Sequence, residues 1–221
     1  RQVNSLWSNS HGVLIGDYIY SKAFMLMVEI GKKDILSELA DATNDISQGE
    51  LIQLDAISNI KISLNKLKKI SYFKTGRLFE ASAKTGAILA GANKDFVKNI
   101  SESAKNMGIL FQIKDDLLDY SNSSKTGKQS FQDLKEGKVT YPFFFALKNS
   151  SQEEKKQLMS FLGNQSLNEK SALALITKLS GLIKTKQLAM KFYTNSVNAA
   201  NTINNKFIRQ EMIELANIAL N

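Results

Sequence analysis

The stretch Phe111-Gln112-Ile113-Lys114-Asp115-Asp116-Leu117-Leu118-Asp119-Tyr120 decides how this chain is read. It closes an apolar run with helical spacing and sets three acids at i, i+1 and i+4. Positions i and i+4 share one helix face, so Asp115 and Asp119 point the same way with Asp116 beside them. At ~6 Å and an effective dielectric of ~20, each like-charged pair repels by roughly 3 kcal/mol. A helix ending near Ser121-Asn122-Ser123-Ser124 also puts the acids at its negative dipole end. Breaches of this kind are expected at functional sites, and a divalent cation is the natural compensation.

The rest of the composition narrows the field. The chain has 221 residues, 43% apolar and 23% charged, enough for one substantial core without staples. It has no cysteine, which excludes disulfides and thiolate metal sites. His11 is its only histidine, which excludes a zinc cluster and a histidine-based catalytic triad. No run approaches 18 uncharged apolar residues and no signal peptide is visible, so the expectation is a soluble, cytoplasmic protein without stable membrane insertion. The net charge of +8 raises nucleic acid as a partner. Yet Lys61, Lys66, Lys68, Lys69 and Lys74 are scattered along helical faces without interleaved aromatics. No nucleic-acid partner is expected, and small phosphorylated ligands suit a basic site equally well.

Apolar residues recur every three or four positions nearly throughout, and Pro142 is the sole proline. The expected fold is all-α, a single large helical bundle with a central active-site cavity. Helices are expected over Asn9–Gly31, Lys33–Ile57, Leu64–Gly91, Lys94–Tyr120, Thr140–Asn149, Gln152–Leu162, Asn168–Lys178, Leu182–Asn204 and Lys206–Leu220. Ser121–Gly137 is the one long polar break, and nothing divides residues 1–221 into two domains.

A bare DDxxD also describes an inert, solvated helix end. Two neighbours weigh against that. Gln112 precedes Asp115 by three residues and can donate to an anion, while Phe111 and Tyr120 bracket the acids like the mouth of a pocket. Lys74 and Arg77 are i, i+3 neighbours around Thr75, whose hydroxyl can donate to phosphate. Gly137-Lys138, before Val139-Thr140-Tyr141-Pro142, offers a close backbone approach and a cation. Ser124–Gln129 fails as a P-loop, because Gln129 follows Gly127-Lys128 where Ser or Thr is needed. Trp7 and Phe143-Phe144-Phe145 read as core, and His11 as a surface or satisfied structural residue.

Taken in order, these pieces resemble the trans-isoprenyl diphosphate synthases, or polyprenyl synthetases. The carrying segments are Gly16-Asp17-Tyr18 with Ser21-Lys22-Ala23-Phe24, Gly49-Glu50-Leu51-Ile52-Gln53-Leu54, Lys74-Thr75, Phe111–Asp119, and Gly137-Lys138-Val139-Thr140-Tyr141-Pro142. Their texture is nearest the bacterial long-chain branch, the octaprenyl diphosphate synthases of ubiquinone side-chain synthesis. Ser130-Phe131-Gln132-Asp133 departs from the family, which usually has a Gly and an acidic pair there. The chain begins at Arg1 and its first methionine is Met25. The resemblance therefore implies one polyprenyl synthetase domain over 1–221 that lacks its N-terminal helices. With them would go a first aspartate-rich motif and the isopentenyl diphosphate site.

The resemblance implies a prenyltransferase that condenses an allylic diphosphate, such as farnesyl diphosphate, with successive isopentenyl diphosphate units. It implies Mg²⁺ held by Asp115, Asp116 and Asp119, with Asp115, Asp116 and Lys74 as the catalytic set. Lys74, Thr75, Gln112 and Lys138 would bind the allylic diphosphate. A homodimer is the implied assembly. Ile19, Ala23 and Met27 fall on one helix face; with Leu39 they could line a chain-length tunnel, and plain core packing explains them equally. Short-chain farnesyl or geranylgeranyl synthases are rivals within the family. A non-catalytic subunit of a heteromeric synthase is a rival outside it, although such a subunit would be expected to lose acids that this chain keeps.

Overall fold

A computed structural model of the chain describes residues 6–121 and 130–221. The described residues contain helices and no strands. The helices are α1 (Asn9–Ile30), α2 (Lys33–Leu54), α3 (Leu64–Ser71), α4 (Arg77–Leu89), α5 (Lys94–Leu118), α6 (Gln132–Lys135), α7 (Tyr141–Asn149), α8 (Gln152–Phe161), α9 (Glu169–Lys178), α10 (Gly181–Asn201) and α11 (Lys206–Leu220). The all-α expectation holds, and most boundaries fall within three residues of those read from periodicity. Two compact units divide the chain between Asp41 and Ala42.

The first unit holds α1 and the start of α2. Ser8 caps α1 by accepting from the backbone N–H of His11, and Gly31 ends it in the left-handed region at φ 66°. No residue of α1 is buried, although Val13, Leu14, Tyr18, Ile19, Leu26 and Val28 all lie on it. Ile19 is exposed; Ala23 and Met27 on α1, and Leu39 on α2, are partly buried. Trp7 departs from its expected place in the core: it is 63% exposed, with its ring centroid 6.2 Å from that of His11. The helix beside it has no fully buried residue, and no second element closes over the indole among the described residues.

The second unit is built around α5. Five consecutive residues of this helix, Asn106–Leu110, are buried, which is more than one face and marks an element surrounded by others. It packs against α10, α4 and α11. Ile109, Leu110 and Ile113 join the main core with Tyr141, Phe143, Phe144, Leu158 and Ile176. Ala104 and Met107 face a second cluster with Ile203, Met212 and Ala216.

The expected helix over Leu64–Gly91 is present with one change of kind. Residues Tyr72–Gly76 form a π-helical segment between α3 and α4. The wider turn inserts one residue and re-aims the side chains on it, a device found mostly at functional sites. Three glycines press helices onto this segment. A Cβ on Gly49 of α2 would lie 2.8 Å from the Phe73 Cβ, and one on Gly108 of α5 would lie 2.7 Å from the Gly76 Cα. A Cβ on Gly76 would meet the Ile109 side chain at 3.0 Å. No real side chain tolerates the first two contacts, so the helices sit this close only because these residues are glycine.

Gly108→Ala is therefore expected to destabilise by about 1–3 kcal/mol through overpacking, despite alanine's better helix propensity. Gly86 of α4 has nothing within 4 Å of its added Cβ, and Gly86→Ala should stabilise by about 0.5–1 kcal/mol. Urea unfolding of the two variants checks this, and equal midpoints would refute the packing argument.

Candidate active site

The π segment and α5 meet at a short chain of polar contacts. The Thr75 hydroxyl donates to Gln112 Oε1 at 2.7 Å, and Gln112 Nε2 donates to Asp116 Oδ1 at 3.0 Å. The other Asp116 oxygen, Oδ2, accepts from the backbone N–H of Tyr141 at 3.4 Å, at the N-terminus of α7. Tyr141 is in turn tied to α3 by a 2.9 Å contact between its hydroxyl and Ser71 Oγ. Asp116 thus stands where three elements converge.

A narrow cleft opens beside it. Lys74, Gln112, Asp116 and Lys138 line it with Gln53, Ser71, Thr140 and Tyr141, over a floor of Ala56, Ile62, Leu67 and Ile70. Four residues named from the sequence, from three separate stretches of the chain, are thereby brought together. Its free volume is about 30 Å³, comparable to the share of one water in the liquid. Both cations in the cleft are already engaged. Lys74 Nζ donates to Gln53 Oε1 at 2.8 Å and lies 3.4 Å from Glu50. Lys138 Nζ lies 3.3 Å from Asp133 and 2.7 Å from Glu136. An anionic ligand must draw these lysines from their acids as it enters.

Burial pushes the Asp116 carboxyl up to about 7, reinforced by the charges of Asp133 and Asp115 and opposed by its bonds to Gln112 and Tyr141. Burial also lifts Asp119 to about 6, with Asp133 the next cause, against its two backbone hydrogen bonds. For Lys138, burial pulls the pKa down, but the hydrogen bonds and charges of Glu136 and Asp133 outweigh it and the net shift is upward.

Asp119 is turned differently from Asp116. Its Oδ1 accepts from the backbone N–H of Gln132 at 2.9 Å and its Oδ2 from that of Asp133 at 3.3 Å. It secures the start of α6, where Phe131 takes φ 60° and offers no side-chain cap. Asp115 is partly buried in the last turn of α5 and does not line the cleft; neither does Thr75. Gly137 uses its freedom at φ 77° to dock on the turn at Ser58, whose N–H donates to the Gly137 carbonyl at 2.8 Å. The close approach it was read to permit is thus to this chain's own backbone. Phe111 is half exposed beside Phe79, while Tyr120 is buried against Phe131. The rejected P-loop stretch lies outside the described residues.

Gln53, Thr140 and Tyr141 belong to the segments that carry the family resemblance but have no expected place in the site. Gln53 lies on the same helix as Gly49, one turn on, and that spacing was the available signal. The Tyr141 contribution is a backbone N–H, which leaves no mark in side-chain chemistry.

Among the described residues, no three His, Cys, Asp or Glu side chains converge as a ready-made metal cage. The donor chemistry nevertheless fits magnesium. Every candidate donor is a hard oxygen, and burial beside Asp133 makes the ionised forms of Asp116 and Asp119 costly, a cost that a bound cation would relieve. Magnesium is ordinarily held by one or two carboxylates, with substrate phosphates and water completing its shell.

The sequence profile of the family described as Polyprenyl synthetase matches residues 1–179. The chain belongs to this family. The enzyme is similar to the octaprenyl diphosphate synthase of Escherichia coli (strain K12), 31% identical over 98% of this chain and 68% of that one. It is also similar to the geranylgeranyl diphosphate synthase of Sulfolobus acidocaldarius, 32% identical over 88% of this chain and 62% of that one. The structure resembles the crystal structure of a polyprenyl synthase from Caulobacter crescentus complexed with calcium and isoprenyl diphosphate. That match has a TM-score of 0.91 at 29% identity and covers 98% of this chain and 67% of the other. The enzyme is accordingly a prenyltransferase of an all-α, trans-prenyl diphosphate synthase family that is generally dependent on divalent metal.

Asp119→Ala should cost about 1–2 kcal/mol of stability, because it strips two backbone N–H groups of their acceptor. Asp119→Asn, which keeps one acceptor oxygen, should recover part of this. Urea unfolding of both variants reads the difference; equal losses in the two would show that the carboxylate is not acting as a cap.

Proposed function

We propose that this enzyme extends an allylic diphosphate with isopentenyl diphosphate units to an all-trans polyprenyl diphosphate, with octaprenyl as the product class and quinone side chains as its use. The observation that carries the reading is the single cleft in which Lys74, Gln112, Asp116 and Lys138 converge over an apolar floor. Such a cleft pairs groups for a diphosphate with a dry surface for its hydrocarbon part.

The chemistry follows from these residues. The allylic C–O bond breaks, the electron pair leaves with the diphosphate, and an allylic cation remains. The isopentenyl double bond then attacks the cation, and a proton is lost to restore an alkene. Negative charge grows on the leaving group, so fixed cations near it stabilise the transition state more than the ground state. Lys74 and Lys138 supply that charge once the ligand oxygens replace Glu50, Gln53, Asp133 and Glu136 as partners of their ammonium groups. The Thr75–Gln112–Asp116 chain holds the acid at a fixed angle to the cleft. Asp115, Asp116 and Asp119 are the proposed magnesium ligands, directly or through water; when bound, the metal would neutralise charge on the departing diphosphate. Ala56, Ile62, Leu67 and Ile70 keep water from the cation.

The chain acts as one polyprenyl synthetase domain in this reading, with α10 packed on α5 in the same unit. A homodimer is proposed as the assembly, supported by α1, on which Val13, Leu14, Tyr18, Ile19, Leu26 and Val28 are exposed in the single chain. No nucleic acid is required. Among the described residues no helix is long and apolar enough to cross a membrane.

Asp115→Ala is expected to lower kcat at least ~100-fold, on the order of 3 kcal/mol, as loss of one electrostatic stabiliser does. Near-normal turnover of labelled isopentenyl diphosphate by that variant would remove Asp115 from the machinery. For product length, Ile19, Ala23, Met27 and Leu39 are the proposed tunnel residues, with Met27 as the stop. Met27→Ala should then shift products to longer chains on reversed-phase chromatography, and an unchanged distribution would discard the tunnel assignment.

A further inference from the structure

Two side-chain hydroxyls among the described residues are buried without a hydrogen-bond partner, those of Tyr120 and Thr140. Each residue is only 5% exposed. The two groups are neighbours, Thr140 lying close enough to perturb the Tyr120 phenol, yet no well-formed hydrogen bond joins them. A buried hydroxyl left this way is destabilising and rare in native proteins, and asks for an explanation.

Thr140 also declines the duty its position suggests. It is the N-cap of α7, with extended backbone at φ −92° and ψ 173°, where threonine ordinarily accepts from the second or third helical N–H. Its side chain makes no cap bond. Pro142 has no N–H to offer, and Asp116 already takes the N–H of Tyr141. Thr140 is instead a lining residue of the cleft, with Lys74, Lys138 and Asp116, and its hydroxyl is buried at that wall.

The donor inventory of the cleft shows what this hydroxyl is for. A diphosphate only accepts hydrogen bonds, so it needs donors with protons to spare. The Thr75 hydroxyl, the obvious candidate from sequence, is committed to Gln112 at 2.7 Å, and one of the two N–H groups of the Gln112 amide is committed to Asp116. The hydroxyl of Thr140 is uncommitted. A phenol is a donor at neutral pH, so Tyr120 can give its proton to Thr140 while Thr140 gives its own to a ligand. Thr140 then satisfies the Tyr120 phenol, and the bound oxygen takes the proton of Thr140.

We propose that Thr140 is a ligand-contacting residue of the cleft, its hydroxyl accepting from Tyr120 and donating to a phosphate oxygen of the bound diphosphate. This rests on the proposed diphosphate chemistry of the cleft and adds a contact to it. The N-terminus of α7 reinforces the contact, since its dipole favours negative charge at that point.

Isothermal titration of inorganic pyrophosphate with magnesium into the full chain tests this, beside the Thr140→Val and Thr140→Ser variants, each also measured for thermal stability. Valine keeps the shape and removes only a hydroxyl that has no partner in the free protein. Thr140→Val should therefore melt at or above the unmodified temperature while binding pyrophosphate about ten-fold more weakly or worse, the loss of one charge-assisted hydrogen bond. Thr140→Ser should bind within about two-fold of the unmodified chain, which a merely structural role would not require. Equal affinity in Thr140→Val overturns the Thr140 contact and leaves the proposed function standing. Weak binding with a large fall in melting temperature and no rescue by serine also overturns it, in favour of a packing role. Failure of the unmodified chain to bind pyrophosphate overturns the diphosphate reading of the cleft and the Thr140 contact with it.

Discussion

The backbone-to-backbone contact of Gly76 with Gly108 governs the geometry of everything around the cleft. Two helices approach here more closely than any side chain at Gly108 would permit. That proximity lets the Thr75 hydroxyl reach Gln112 across the interface. A wider separation would break this link first and release Asp116 from the polar chain that orients it. The π segment adds the second half of the constraint. By inserting a residue at Tyr72–Gly76, it turns Lys74 toward Gln53 and the cleft while Thr75 faces α5. Gly49, pressed on Phe73 from α2, holds the segment from the other side.

Around that frame, charge is left deliberately out of balance. Asp116 is buried with Asp133 and Asp115 for electrostatic neighbours, and the hydrogen bonds it receives do not offset the cost of its ionisation. The lysines of the cleft meanwhile spend their charge on Glu50, Asp133 and Glu136. A ligand that brings negative oxygens together with a cation resolves both sides at once. The oxygens take the lysines and the cation takes the acids. Either component alone would meet only half of the mismatch, which is the physical argument for the proposed pairing of a diphosphate with a divalent metal.

The acid cluster, the Lys74-Thr75 pair and the all-α class were legible in the sequence because they depend on local spacing. Helical periodicity follows from the 3.6-residue turn, and like charges at i, i+1 and i+4 are close whatever the tertiary fold. The different duties of Asp116 and Asp119 were not legible. Both belong to one motif, yet one faces the cleft and the other holds the backbone of Gln132 and Asp133. Trp7 misled for a related reason. Aromatic character predicts burial only where a second element closes over the ring, and α1 has no fully buried residue among those described.

By itself the sequence determined which elements form, where the acids crowd, and that the chain carries the ordered motifs of a polyprenyl synthetase. These are properties of short separations, set by backbone geometry and residue chemistry. Only the tertiary structure decided that Lys74, Gln112, Asp116 and Lys138 share one cleft, that Thr75 is committed to Gln112, and that Thr140 keeps an unspent hydroxyl. Hydrogen-bond commitments between α3, the π segment, α5 and α7 are settled by the distance at which helices pack. That distance rests on glycines whose significance appears only when the opposing backbone is in place.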